Sequence, residues 1–180
     1  MKLFDIVTDV EFLHKECEEV SFPLQKESEE LLLEMVEYLK VSQDDELAAK
    51  YNIRAGVGLA ANQIGIQKKM IAVYFEVEDK IYEYGLVNPK IVSYSTQLCC
   101  LDSGEGCLSV EKDVEGYVYR HYKVTVKAYD VVSKKDVVIK ARGYLAIILQ
   151  HEIDHLNGIL YTDRIDKNDP FKIIEDAIVI

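Results

Sequence analysis

Residues 143–158 read GYLAIILQHEIDHLNG, and the character of this stretch governs how the rest of the chain must be arranged. At 100° per residue, Gln150 and Asp154 share one narrow polar sector, and nearly every other position outside His151, Glu152 and His155 is apolar. A helix that is apolar almost all round belongs in the middle of a protein, not on its surface. Asn157-Gly158 supplies a C-terminal stop. Two imidazoles and a carboxylate on such a helix need partners, because buried polar groups without them are costly.

The spacing of those groups suggests what the partner is. His151 and His155 stand four residues apart, which puts both rings on one helix face with Cβ atoms roughly 5–6 Å apart, close enough to share one cation. Glu152 lies one step round the helix, off that axis, where it can meet a metal-held water. This H-E-x-x-H arrangement combines two neutral nitrogen ligands with a general base. The third ligand is expected from SGEGCLSV, residues 103–110, where Gly106 lets the backbone at Cys107 come close to an ion. One thiolate and two imidazoles leave a position open for water, the pattern of a catalytic site and not of a structural one. His14 and His121 show no ligand spacing, and the adjacent pair Cys99-Cys100 does not fold back easily onto one ion.

Working outward, residues 23–40 carry Leu31, Leu32, Met35, Val36 and Leu39 at helical spacing among acids, with Pro23 and Ser28 as start signals. Residues 42–55 are polar and lead into GVGLAANQIG, whose glycines argue against a simple strand. Residues 70–77 read as a buried strand, residues 81–95 as strands interrupted at Asn88-Pro89, and residues 117–130 as a long half-exposed strand. Residues 131–143 add a turn and a short strand. The expected fold is α+β, with antiparallel sheets packed around the central buried helix that carries HEIDH, in one catalytic domain spanning residues 1–180.

Composition narrows the function. The net charge of −11, from 32 acidic against 21 basic side chains, repels nucleic acid over long range, so direct DNA binding is not expected. No apolar run approaches the roughly 18–20 residues needed to cross a bilayer, and the first twenty residues lack a signal-peptide core. A cytoplasmic protein is expected, with Cys17, Cys99, Cys100 and Cys107 as free, buried thiols and no disulfide framework.

Three segments now carry a resemblance. GVGLAANQ (Gly56 to Gln63), EGCLS (Glu105 to Ser109) and HEIDH (His151 to His155) occur in order over about 100 residues, and together they resemble the signature segments of peptide deformylases. The insert before the first segment, DVEGYVYRH and DRIDKNDP are similar to the form common in Gram-positive bacteria and mycoplasmas. The resemblance implies hydrolysis of the formyl group of formyl-methionyl nascent peptides. It also implies an iron(II) ion with nickel or cobalt as active substitutes, although affinity order alone favours zinc. It further implies that the Leu108 N–H and the Gln63 side-chain amide hold the formyl oxygen, and that an extended peptide lies beside Val57 and Gly58. Ile148, close to the histidines, is a candidate wall of the methionine pocket and equally a core residue. Arg120 and Asp154 are candidates for an ion pair that braces the metal helix.

Asn62 and the N-terminal DVEFLHKE depart from the usual pattern without touching a ligand. Ribosome contact is left open, and the mixed-charge ending DPFKIIEDAIVI does not suggest a long ribosome-binding helix. Two other readings remain beside the enzyme: a non-catalytic binder of formylated chains, and a zinc endopeptidase. Glu152 and Gln63 weigh against the first, since a binder needs neither base nor oxyanion donor. Cys107 weighs against the second.

Overall fold

The computed structural model describes residues 2–180. Its centre is a five-stranded antiparallel sheet in the order β1-β2-β3-β6-β7. The strands are β1 (Gly58–Ala60), β2 (Met70–Val77), β3 (Lys80–Tyr94), β6 (Lys123–Asp130) and β7 (Lys135–Arg142). A second, three-stranded sheet joins β4 (Leu98–Cys100) to β5 (Arg120–His121) antiparallel and to β8 (Ile178–Val179) parallel. The helices are α1 (Val10–Leu13), α2 (Lys26–Ser42), α3 (Asp45–Tyr51), α4 (Tyr144–Leu156) and α5 (Tyr161–Arg164), with a 3-10 turn over Ala61–Ile64.

The apolar run that opens β2, Met70 to Phe75, follows from burial on both faces. Alternate side chains point to opposite sides of a strand. Ile71, Val73 and Phe75 pack with Leu145, Ile148 and Leu149 of α4, while Met70 and Ala72 pack with Leu32, Met35 and Leu39 of α2. The sheet is thus sandwiched between an amphipathic helix and an almost wholly buried one. Every residue of α4 from Leu145 to Leu156 is buried, as its composition demands.

Several expectations need adjusting at the level of single elements. Helix α2 starts at Lys26 and runs to Ser42, with Glu27 and Glu29 in its first turn, where negative charge suits the helix dipole. The chain does not break into two strands at Asn88-Pro89. Asn88 takes a φ of 50°, and the β3–β6 register shifts between Val87 and Lys90, after which pairing resumes to Tyr94. The Asn88 side chain exchanges two 2.8 Å hydrogen bonds with the Val20 backbone, which holds this bulge. The single strand expected over 117–130 is instead two, β5 in the small sheet and β6 in the large one, and Val118 fills a small cluster with Cys107, Tyr161 and Ile165. The polar stretch 42–55 contains α3. That helix buries no residue and so has no apolar stripe, but Asp44 caps it by accepting from the Leu47 N–H at 2.9 Å.

Candidate active site

Three elements converge on one point. Helix α4 brings His151 and His155 with ring centroids 5.1 Å apart. The loop between β4 and β5 brings Cys107, whose Sγ lies 3.3 Å from His155 Nε2. The segment after β1 brings Gln63, whose Nε2 donates toward the same sulfur at 3.4 Å and to Ser109 Oγ at 3.1 Å. Potential ligand atoms of Cys107, His151 and His155 all fall within 4.8 Å of one another, and all three residues are buried. One sulfur and two imidazole nitrogens at this separation fit a single divalent ion with an open position.

The orientation of His151 is fixed from behind. Its Nδ1 donates to Glu105 Oε2 at 2.8 Å, which turns Nε2 toward the cleft. Glu105 is itself held by Arg120, whose Nε and Nη2 reach the two carboxylate oxygens at 2.5 and 2.9 Å. Arg120 Nη1 then donates to Asp154 at 2.8 Å, and Arg164 closes on the same Asp154 with contacts of 2.5 and 2.6 Å. The expected Arg120–Asp154 pair is therefore one link in a longer chain of charge that ends at the surface on Arg164.

These contacts set the protonation of the site. Burial works against charge on Glu105, but hydrogen bonds from Arg120 and His151 outweigh it and hold the carboxyl at about 2. Burial likewise opposes charge on His151, yet the Cys107 sulfur and the Glu105 carboxylate raise its pKa to about 10. A field that favours positive charge so strongly at this ring also favours a metal cation. His155 moves the other way, since burial, then His151 and Arg120, push its pKa well down and keep a neutral ligand. Glu152 is pushed up to about 7, chiefly by burial.

Glu152 Oε2 is buried and has no protein partner. Its carboxylate rests against Gly58, where an added Cβ would sit only 2.7 Å from Glu152 Cδ and 2.8 Å from Cγ. Only a bare backbone leaves room for both. Gly58 belongs to β1, the edge strand of the large sheet. A cleft of about 300 Å³ lies over this edge, and Val57, Gly58, Gln63, Cys107, Leu108, Ile148, His151 and Glu152 all line it. The candidate ligand, acid–base, oxyanion and peptide-binding residues of the sequence analysis therefore lie together here, with His155 completing the donor set from beneath.

The family profile described as polypeptide deformylase matches residues 4–171. The chain belongs to the peptide deformylase family. It is 53% identical over 159 residues to the peptide deformylase of Oceanobacillus iheyensis, covering 88% of this chain and 86% of that one. It is 51% identical over 170 residues to the peptide deformylase of Staphylococcus epidermidis, covering 93% and 92%. Among solved structures, a class I type b peptide deformylase from Acinetobacter baumannii, bound to Met-Ala-Ser, superposes with a TM-score of 0.71. That match is 30% identical and covers 91% of this chain and 99% of the other.

Within this deformylase fold, some neighbours of the site carried little sequence signal. Glu105 stands in the EGCLS segment, but its hold on His151 shows only in three dimensions. Arg54, Gln43 and Tyr144 also line the cleft, and nothing in their local sequence announces it. Asn62, a departure from the usual pattern, donates to the His155 carbonyl at 2.7 Å and so ties the first segment to the end of α4. Gln63 makes two kinds of contact at once. Its Oε1 accepts from the Ala60 N–H at 2.9 Å, capping the turn, while its amide nitrogen faces the sulfur. Ile148 is likewise both core and cleft wall.

Proposed function

We propose that this chain removes the N-terminal formyl group from formyl-methionyl nascent polypeptides, releasing formate, as one catalytic domain with iron(II) as its ion. The observation that carries the reading is the meeting, in one cleft, of a sulfur–imidazole–imidazole donor set with a buried, unpartnered carboxylate oxygen on Glu152. When bound, a divalent metal lowers the pKa of a water toward about 7 and draws charge from a carbonyl oxygen. Cys107, His151 and His155 would hold it, with the His151 ring aimed by Glu105.

Glu152 accepts the proton of the attacking water and returns it to the leaving amine. Its burial suits this work, because a carboxyl near pH 7 can both take and give a proton under ordinary conditions. The Leu108 N–H and Gln63 Nε2 donate to the carbonyl oxygen as it gains negative charge. The Ala60 N–H fixes the sense of the Gln63 amide, so its nitrogen faces the cleft, and the carbonyl oxygen takes over the hydrogen aimed at the Cys107 sulfur. The peptide lies extended against the open edge of β1 beside Val57 and Gly58, an added strand of the kind sheet edges accept. That Acinetobacter baumannii relative carries Met-Ala-Ser, a peptide of the expected product type. Ile148 supplies apolar wall for the methionine side chain, and a tight fit around the carbonyl carbon admits formyl but not acetyl.

Formylated chains emerge from ribosomes, so the reading carries a cytoplasmic location. Among the described residues no helix is long and apolar enough to cross a membrane.

The test uses protein purified without oxygen, with its metal content determined by elemental analysis. Formate release from formyl-Met-Ala-Ser is expected, with none from the acetyl peptide and no cleavage of casein. Casein cleavage would favour the endopeptidase reading, and binding of the formyl peptide without formate would favour a mere binder. On the same preparation, activity of the iron form is expected to decay in air while a nickel-loaded form persists, because iron(II) and its thiolate are both oxidisable. Equal half-lives would argue against iron as the native ion.

A further inference from the structure

The carbonyl of Cys107 and the N–H of Leu108 are two ends of one peptide unit. Such a unit is planar and trans, so whatever fixes the carbonyl also fixes the N–H on the opposite side. Arg54 sits on this carbonyl. Its Nη1 donates to the Cys107 oxygen at 3.2 Å and to the Val110 oxygen at 2.9 Å, while Nη2 donates to Asp113 at 2.7 Å. The Val110 N–H supplies a second bond to the Cys107 oxygen at 3.1 Å, so both of its lone pairs are engaged. Two residues beyond Arg54, Gly56 offers a seat for the Leu108 side chain, where an added Cβ would come within 2.9 Å of Leu108 Cδ1. The short segment 54–56 thus grips the loop on both sides of one peptide bond.

We propose that Arg54 is a positioning residue that locks and polarises the Cys107–Leu108 peptide, so that the Leu108 N–H faces the cleft as a preorganised oxyanion donor. The Val110 N–H could hold the carbonyl's direction alone, but it is neutral. A guanidinium adds a charge-assisted bond of roughly twice the strength. Positive charge at the carbonyl draws electron density through the amide resonance and makes the N–H at the far end a better donor, as linked hydrogen bonds polarise one another. Arg54 touches none of the three ligand atoms and not the substrate carbonyl in this account; it acts through Leu108. The inference rests on the reading of the Leu108 N–H as an oxyanion donor.

A guanidinium on two carbonyls would also serve as a plain loop staple, and the experiment separates the two roles. Arg54→Met and Arg54→Lys are prepared as isotope-labelled, zinc-loaded protein for NMR and as nickel-loaded protein for kinetics on formyl-Met-Ala-Ser. In Arg54→Met the Cys107 carbonyl and Leu108 amide resonances are expected to move. Its kcat is expected to fall roughly tenfold, less than the 10²–10³ lost when an oxyanion donor is deleted outright. KM and metal content should stay near wild type, because the donor works only in the transition state. Arg54→Lys, which keeps one charged donor, is expected to recover part of the loss and also preserves the test should the methionine variant fold poorly. Unmoved resonances overturn the proposal. So does loss of metal in proportion to activity with no recovery by lysine, the result of a mere staple. Moved resonances with unchanged kcat would instead overturn the reading of Leu108 as a donor, and the role of Arg54 with it.

Discussion

In the Cys107→Ser variant, bound metal is expected to fall to a small fraction of the wild-type level, and formate release to background. The reasoning is one of ligand chemistry. A thiol gives up its proton to a metal near neutral pH and binds as the thiolate, whereas a serine hydroxyl stays protonated and is a poor ligand. The substitution removes the one anionic ligand of the set and leaves two imidazoles on α4, too few to retain an ion against exchange with solvent. It also removes the sulfur that faces both His155 Nε2 at 3.3 Å and Gln63 Nε2 at 3.4 Å, so two buried polar groups lose a neighbour. Elemental analysis beside a formate assay reads both consequences, and circular dichroism checks that the fold persists. Full metal occupancy with full turnover in this variant would show that the third ligand lies elsewhere.

The Glu152→Gln variant is expected to part metal binding from catalysis. Glutamine keeps the shape that rests against Gly58 and keeps one acceptor, but it cannot take a proton at neutral pH. Metal content and affinity for a formyl-Met peptide should stay near wild type, while kcat falls by roughly 10²–10⁴, the usual contribution of a positioned acid–base group. Metal lost together with activity would make Glu152 a ligand or a brace. Retained turnover would mean that the water is activated without its help, and the proton path described above would have to be given up.

The parts of this protein that were legible in sequence are those written into local periodicity. Helix α4 is apolar on nearly all sides, the first six residues of β2 are apolar without a break, and HEIDH has a fixed spacing, so each could be placed from its own residues. Cys107 needed more, because a loop ligand has no period; it stood out through its glycine-flanked segment and the lack of a better candidate. What remained hidden depends on contacts distant in sequence. The Arg120–Asp154 pair is an expected one, but Arg120 also meets Glu105 across 15 residues, and Arg54 reaches the Cys107 carbonyl across 53. A lone arginine carries no local mark of such a partner. Helix α3 was missed for the opposite reason. It is a local structure, but one that buries nothing, so only its Asp44 cap and the acids of its first turn announce it.

The chain of alternating charge from Glu105 through Arg120 and Asp154 to Arg164 sums to zero. Cutting any buried link leaves a stranded ion, at a cost of about 3–5 kcal/mol, a large part of the roughly 5–15 kcal/mol that holds a typical domain together. The framework that shapes the pocket is therefore glued by its own side chains. On this reasoning, whatever ion sits between Cys107, His151 and His155 is expected to be a tenant and not a pillar. Stripping and swapping the ion is therefore expected to leave the walls standing, which thermal unfolding of the chelated and reloaded protein checks, and one fixed frame would then let the reactivities of different metals be compared directly.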